Sequence, residues 1–218
     1  MTYTVLARDP RSGVIGGATA SRSLAAGNAV LMLRPGVGVV ASQAWTNRGL
    51  RDLLLDALAG GATAQDAVGR VTRWDAAAEL RQVAALPDHG SPAARSGSRI
   101  TAWAGDLALP DAVLAGNLLT GEEVLAAMRG AIESAPPVPP GDPVAPALFA
   151  RTLVDTLRAG EASGGDSRGR QSASVIVATM GADADISVDL RVDDHVDPLA
   201  ELARLVGLRA EALSARTE

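Results

Sequence analysis

Cysteine and lysine are both missing from this chain of 218 residues. The lack of cysteine excludes disulfide bonds, thiolate metal sites and thiol nucleophiles. All 20 cationic side chains are therefore arginines, which excludes Schiff-base chemistry, a lysine general base and the lysine of a phosphate-binding loop. These two absences remove several classes of enzyme from consideration.

A basic surface is also lacking, because the formal net charge is −5 and both signs are intermixed. We therefore expect no binding to nucleic acid and no attraction to an anionic membrane. No apolar run approaches the roughly 18–20 residues that span a bilayer, and Arg8 and Asp9 interrupt the start where a secretory leader would stay apolar. The charge predicts a cytoplasmic protein whose partners are small molecules or other subunits, and the apolar faces of its strands and helices predict a homodimer.

Strands dominate the first quarter of the chain. Turn signals at 9–13 and at Pro35-Gly36 separate four short apolar runs, which predicts two hairpins before any helix. Apolar spacings of three and four then predict a helix from Gly49, and Thr63 with Asp66 resembles a capping pair that opens a second helix.

The remaining elements alternate between strands and helix pairs. Strands are predicted at 81–91, 99–105, 112–119, 172–180 and 184–194, and helices at 121–135, 146–163 and 198–212, although 75–86 could equally be helical. Runs of strands separated by helix pairs favour an α+β fold with layered, mainly antiparallel sheets. We expect one domain over 1–218, with 197–218 as a C-terminal helix.

A charged loop, GGDSRGRQSAS, lies at 164–174 before the apolar run VIVAT. Its glycines allow positive φ and close backbone approach, and its two guanidinium groups suit a carboxylate or phosphate. The loop is predicted to hold an anionic or amide-bearing ligand; alternatively, its aspartate pairs with one arginine and the rest only turns the chain. The polar candidates in the loop are Asp166, Arg168, Arg170, Gln171 and Ser172.

Thr2 follows the initiator methionine and opens the first predicted strand. If an aminopeptidase removes Met1, Thr2 carries a hydroxyl nucleophile and a free α-amine, whose unperturbed pKa of about 7.7–8 lets it accept the hydroxyl proton near neutral pH. One residue would then supply nucleophile and base. Threonine also occupies this position in proteins without a catalytic reason, so the position alone leaves both interpretations open.

Three further polar side chains interrupt apolar strands. Asn117 and Gln43 are amides that need partners if buried, so each either orients a group in a site or is a satisfied core residue, and the second interpretation suits Gln43 better. Ser21, at the end of the second predicted strand, is like Gln43 a candidate substrate contact.

His89 and His195 are too sparse for a metal-ligand cluster, and no dinucleotide fingerprint is present, so we expect no metal and no cofactor.

Several segments together resemble one protein family. They are MTYTVLARDPRSGVIGGATASRSLAAGN, PGVGVVASQAW, VLAGNLL and, above all, AGEASGGDSRGRQSAS followed by DLRVDDHVDPLAELARLV. This set is similar to domain of unknown function 1028 (DUF1028), whose members resemble N-terminal-nucleophile (Ntn) hydrolases. The resemblance covers nearly the whole chain and implies a four-layer αββα sandwich of two mainly antiparallel sheets.

The resemblance also implies a site. In Ntn hydrolases the residue exposed at the start of the first strand is the nucleophile, and here that residue is Thr2. An amide would be cleaved through an acyl ester of Thr2, with backbone donors or Asn117 stabilising the oxyanion, while Asp166, Arg168 and Gln171 would line or support the site. The opposing hypothesis is a non-catalytic sandwich that binds a small anionic ligand or a protein partner through the arginines of the charged loop.

Overall fold

Residues 2–181 and 184–215 are described by the computed structural model, and they contain ten strands and seven helices. The strands are β1 Thr2–Asp9, β2 Val14–Ser21, β3 Leu31–Arg34, β4 Gly38–Ala44, β5 Arg81–Pro87, β6 Ala93–Ser96, β7 Gly105–Ala108, β8 Ala112–Asn117, β9 Ser172–Thr179 and β10 Ile186–Val192. The helices are α1 Ala26–Val30, α2 Gly49–Ala59, α3 Ala64–Gly69, α4 Val71–Trp74, α5 Glu123–Glu133, α6 Ala145–Ala162 and α7 Pro198–Ser214.

The strands form two antiparallel sheets. The first sheet has the order β10-β9-β2-β1-β8-β7, and the second has the order β3-β4-β5-β6. Strand β1 lies between β2 and β8, and its register places Thr2 opposite Asn117 and Tyr3 opposite Ala20. The N-terminal end of β1 is therefore enclosed by strands on both sides.

Alternating side chains of the strands divide the interior into three apolar layers. Tyr3 and Val5 of β1 pack under α5, α6 and α7, whereas Leu6 points into the core between the sheets. On the second sheet, Val40 and Val83 pack against α2, α3 and α4. The order of layers is helices, sheet, sheet, helices, so the expected αββα sandwich is confirmed.

Helix boundaries follow local chemistry. The Thr63 hydroxyl accepts a hydrogen bond from the Asp66 amide at 3.1 Å, which confirms the predicted cap of α3. Helix α2 ends at Ala59, and Gly61 then adopts a φ of 84°, a conformation that glycine takes without strain. In α6, the buried Leu153 and Leu157 face the first sheet. Within the described ranges, no helix is long and apolar enough to cross a membrane.

Three predicted details are wrong. The short helix α1 precedes β3, so the four strands do not all come before a helix. Strand β6 was not predicted, and residues 99–104 do not form a strand; β7 begins only at Gly105. The backbone amides of Ser98 and Arg99 bond to Glu79, through its carboxylate and its carbonyl, at 2.8 Å each, and this anchoring replaces strand pairing. The ambiguous segment 75–86 resolves into a short 3-10 turn and strand β5.

The charged loop is connected to the end of β8 through two left-handed glycines. Gly164 and Gly165 have φ values of 116° and 56°, as the sequence predicts. A Cβ on Gly164 would overlap the hydroxyl of Thr120, whereas a Cβ on Gly13, which also has a positive φ of 67°, would meet nothing within 4 Å.

We expect Gly164→Ala to lower the free energy of unfolding more than Gly13→Ala does. Both substitutions place alanine in the left-handed region, at about 1–2 kcal/mol. The overlap with Thr120 adds about 1–3 kcal/mol in Gly164→Ala alone. Denaturant unfolding of the two variants measures the difference, and equal losses would contradict this account of the loop.

Candidate functional site

A buried polar layer closes one end of the space between the sheets. Hydroxyl and amide side chains replace the apolar residues there, and hydrogen bonds link them within and between the two sheets. Their exposed fractions lie between 0 and 6%. This polar layer consists of Thr2, Thr4, Thr19, Ser21, Gln43, Gln82 and Asn117.

Thr2 lies at the centre of these contacts. Its hydroxyl donates to Ser21 Oγ at 3.3 Å. Its carbonyl oxygen accepts from Gln43 Nε2 and from Asn117 Nδ2, both at 3.4 Å. The fold therefore brings together four of the residues that the sequence singled out, namely Thr2, Ser21, Gln43 and Asn117.

Gln82 was not predicted, and it fixes the orientation of both neighbouring amides. Its Nε2 donates to the backbone carbonyls of Gly105 and Gly116 at 3.0 and 2.9 Å. A carbonyl only accepts, so Gln82 must turn its nitrogen towards them and its oxygen towards Gln43 and Asn117. Those two side chains consequently donate to Gln82 Oε1, at 2.7 and 3.0 Å.

The polar layer is uncharged around the nucleophile candidate. No carboxylate, guanidinium or imidazole of the described residues hydrogen-bonds to the hydroxyl of Thr2. The nearby groups are amides and hydroxyls, including Thr4, which donates to Gln43 Oε1 at 2.6 Å. Side chains in this layer can orient a substrate and stabilise charge through hydrogen bonds, but a proton acceptor for the hydroxyl would have to be the α-amine of Thr2 itself.

The carboxylate of Asp166 ties the charged loop to this end of the sandwich. The Asp166 side chain is 2% exposed, and its carboxylate accepts from the backbone amides of Arg22 and Arg168 at 2.8 and 2.9 Å. The guanidinium of Arg168 pairs with the same carboxylate at 3.3 Å, as the alternative interpretation of the loop predicts. Asp166 also forms an isolated bridge with Leu119 beyond β8.

Arg170 lies on the other side of the first sheet from the Thr2 hydroxyl. It pairs with Glu161 at 2.9 Å and with Asp197 at 3.4 Å. Glu161 also accepts a hydrogen bond from the phenol of Tyr3 at 3.0 Å, and successive strand residues such as Thr2 and Tyr3 point to opposite faces. A cavity of about 230 Å³ lies between these groups and the loop.

Gln171 and Ser172 hold neighbouring segments in place. The backbone amide of Gln171 donates to Ser21 O at 3.0 Å, and the Gln171 side chain lies between Arg22 and Asp194. The Ser172 hydroxyl donates to Ser23 O at 2.6 Å and accepts from the backbone amide of Ala26 at 3.1 Å. Both of these hydrogen bonds of the Ser172 hydroxyl are made with backbone groups of this chain.

Left-handed backbone conformations collect at the same end of the sandwich. Among the described residues, the non-glycine positions with positive φ are Ala25, Ala44 and Leu118, at 52°, 72° and 53°. Ala44 directly follows Gln43, and Leu118 directly follows Asn117. Such conformations cost about 1–2 kcal/mol each, and they concentrate at functional sites.

The comparisons with known proteins identify the family. Its model, described as a family of unknown function (DUF1028), matches residues 2–202. The chain belongs to DUF1028. The crystal structure of a DUF1028 protein from Silicibacter pomeroyi is similar to it, with 32% identity and a TM-score of 0.83 over 95% of this chain and 85% of that one. No curated protein matches this DUF1028 chain.

Two more distant solved structures are similar to this DUF1028 protein at low scores. Anbu, an ancestral beta-subunit, from Yersinia bercovieri has 11% identity and a TM-score of 0.43, over 98% of this chain and 96% of that one. An Anbu Gly-1 mutant from Hyphomicrobium sp. strain MC1 has 15% identity and a TM-score of 0.42, over the full length of both chains.

We expect Gln82→Leu to lower the free energy of unfolding by at least about 3 kcal/mol. Leucine removes the partner of the Gly105 and Gly116 carbonyls and of one N–H each on the buried Gln43 and Asn117, and each buried group left unpaired costs about 1–3 kcal/mol. The exposed Gln65 of α3 provides the control, because Gln65→Leu should change stability by less than about 0.5 kcal/mol. Denaturant unfolding of both variants measures these changes. An unchanged free energy of unfolding in Gln82→Leu would contradict the described hydrogen-bond network.

We expect Tyr3, the chain's one tyrosine, to ionise well above pH 10. Burial raises its pKa most, and the charge of Glu161 raises it further. Because the folded pKa lies above the unfolded value, the stability that the neutral phenol contributes is present below about pH 10 and is lost as the pH rises beyond it.

Tyrosinate absorbance during an alkaline titration measures this pKa without ambiguity. Glu161→Gln should lower the pKa, since it removes the negative charge, but not to the ordinary value, since burial persists. Glu133→Gln on α5 is the control, because Glu133 pairs with Arg129 instead. An ordinary Tyr3 pKa in the folded protein would refute this description.

Proposed function

We propose that this DUF1028 protein is an amide or peptide-bond hydrolase whose nucleophile is the Thr2 hydroxyl, freed by removal of Met1. Met1 itself lies outside the described residues. The observation that carries the proposal is the position of Thr2, which begins one of the two central strands of the six-stranded sheet and lies inside a buried polar layer. Burying seven polar side chains is unfavourable unless each finds partners, and here three of them, Ser21, Gln43 and Asn117, bond to Thr2.

The reaction uses Thr2 as both nucleophile and base. The free α-amine takes the proton of Oγ1, and Oγ1 attacks the amide carbonyl carbon to give a tetrahedral oxyanion. The C–N bond then breaks, the ammonium proton passes to the leaving amine, and an acyl ester of Thr2 remains. Water, deprotonated by the same amine, hydrolyses this ester to a carboxylic acid and restores Thr2.

Asn117 is the side chain proposed to meet the oxyanion together with backbone donors. One Nδ2 hydrogen is held by Gln82 Oε1 at 3.0 Å, while the other reaches Thr2 O only at 3.4 Å. The longer bond is the weaker one, so this N–H can turn to a developing oxyanion. Gln43 shares the same carbonyl and keeps Thr2 in position, and Ser21 orients its hydroxyl.

The charged loop is proposed to form a wall of the site. The carboxylate of Asp166 bonds to one backbone amide within the loop and to another just after β2. Gln171 and Ser172 also bond to backbone carbonyls at the end of β2 and just after it, which anchors the loop there. Direct substrate contact is assigned to Arg168, which is 41% exposed at its side chain. Arg170 is placed at the adjoining cavity.

The second candidate is a non-catalytic sandwich that binds a small anionic ligand. It is favoured by the absence of any ionisable side chain bonded to the Thr2 hydroxyl among the described residues, and by the exposed arginines at the same end. A homodimer, a cytoplasmic location and a single domain over 1–218 stay predictions of the sequence.

Intact-mass spectrometry before and after treatment with a β-lactone separates the two candidates. We expect the purified protein to lack Met1 and to gain one adduct, mapped to Thr2. Thr2→Ser should still react, because serine also supplies a hydroxyl next to an α-amine, whereas Thr2→Ala should not.

The control for this experiment is Thr72→Ala, which removes an exposed threonine of α4 and should leave the adduct unchanged. A retained Met1, or an adduct that persists in Thr2→Ala, contradicts the hydrolase. A processed Thr2 that stays inert favours the ligand-binding alternative.

A further inference from the structure

We propose that Arg22, a residue without an assigned role, is the carboxylate-binding residue of the candidate site. The substrate class follows from this assignment together with the proposed function: an amide that carries a carboxylate close to the bond to be cleaved. The binding of the carboxylate itself requires only Arg22 and its supports, not the chemistry of Thr2.

Arg22 is held close to Thr2 by the backbone. It directly follows Ser21, so the Cα atoms of Ser21 and Arg22 are one peptide unit apart, about 3.8 Å, and the hydroxyl of Ser21 accepts the hydrogen bond of Thr2. The Arg22 amide donates to the buried carboxylate of Asp166 at 2.8 Å. The base of this side chain is therefore fixed at the Thr2 end of the sandwich.

The guanidinium of Arg22 is oriented by a neutral group. Its Nη1 donates to Gln171 Oε1 at 2.7 Å, and Gln171 Nε2 donates to Asp194 Oδ1 at 2.9 Å. A carboxylate only accepts, so Asp194 sets the orientation of the Gln171 amide and turns its oxygen towards Arg22. This bond orients the planar fork and is made by one of its several N–H donors among the residues that the structure describes.

The charge of Arg22 distinguishes it from the arginines of the charged loop. Arg168 pairs with Asp166, and Arg170 pairs with Glu161 and Asp197. Within residues 2–181 and 184–215, Arg22 forms no ion pair, and its side chain is exposed. A guanidinium with unused donors and no carboxylate partner is suited to bind a carboxylate through two parallel hydrogen bonds.

A binding experiment tests this assignment independently of catalysis. The probes are N-acetylglycine, which carries an amide and a carboxylate, and N-acetylglycinamide, in which a neutral amide replaces the carboxylate. Titration calorimetry at low salt uses the full-length Thr2→Ala protein, so that no turnover occurs. We expect N-acetylglycine to bind at least roughly tenfold more tightly than N-acetylglycinamide, because a charged hydrogen-bonded pair contributes at least that factor.

Substitutions then identify the residue that causes the preference for N-acetylglycine. Adding Arg22→Gln should abolish it, and adding Arg22→Lys should preserve only part of it, because lysine keeps the charge but not the fork. Adding Arg73→Gln, which removes an exposed arginine of α4, should leave the preference intact. Thermal unfolding of each variant confirms that the fold persists.

Two results would overturn the assignment. One is the lack of any preference between the probes in the protein that retains Arg22, including the case in which neither binds. The other is a preference that survives Arg22→Gln, and its loss in Arg168→Gln would then assign it to Arg168. Neither result depends on whether Thr2 reacts with a β-lactone, so the carboxylate site and the hydrolase fail separately.

Discussion

The hydrogen bonds of Gln82 join the two sheets at the end where Thr2 lies. Its side-chain nitrogen donates hydrogen bonds to backbone carbonyls of β7 and β8. Its side-chain oxygen accepts hydrogen bonds from Gln43 of the second sheet and Asn117 of the first. This single amide therefore decides which atoms its neighbours present to Thr2. The rest of the polar layer depends on that choice, because a reversed amide would leave two carbonyls facing an oxygen.

The polar layer and the strained backbone occur together. Gln43 and Asn117 are each followed by a left-handed non-glycine residue, and both side chains contact the carbonyl of Thr2. Stability alone would favour an apolar layer and relaxed strand ends. A fold that keeps both unfavourable features at one place gives the physical reason for locating the proposed site there, and we propose that Arg22 and Asp166 lie at its edge.

Local patterns predicted most of the architecture but only part of the site. Hairpin turns, apolar periodicity and the Thr63 cap gave the layers, because these signals act over a few residues. The sequence did not predict Gln82 as a site residue, because its segment is compatible with a helix as well as a strand. Only the β4–β5 register places it opposite Gln43. Arg22 was not predicted for a similar reason, because the lack of a carboxylate partner among the described residues depends on tertiary contacts. The left-handed Ala44 and Leu118 carry no sequence signal either.

The central claim is that Thr2 supplies its own base, since no other ionisable group contacts its hydroxyl among the described residues. The pH dependence of the rate at which Thr2 is acylated by a β-lactone tests it most directly. The account predicts a rate that rises with pH through one ionisation in the range of an α-amine, at about pH 7.7–8. A rate that is flat through that range, or that follows the ionisation of a carboxylate at acidic pH, would contradict it.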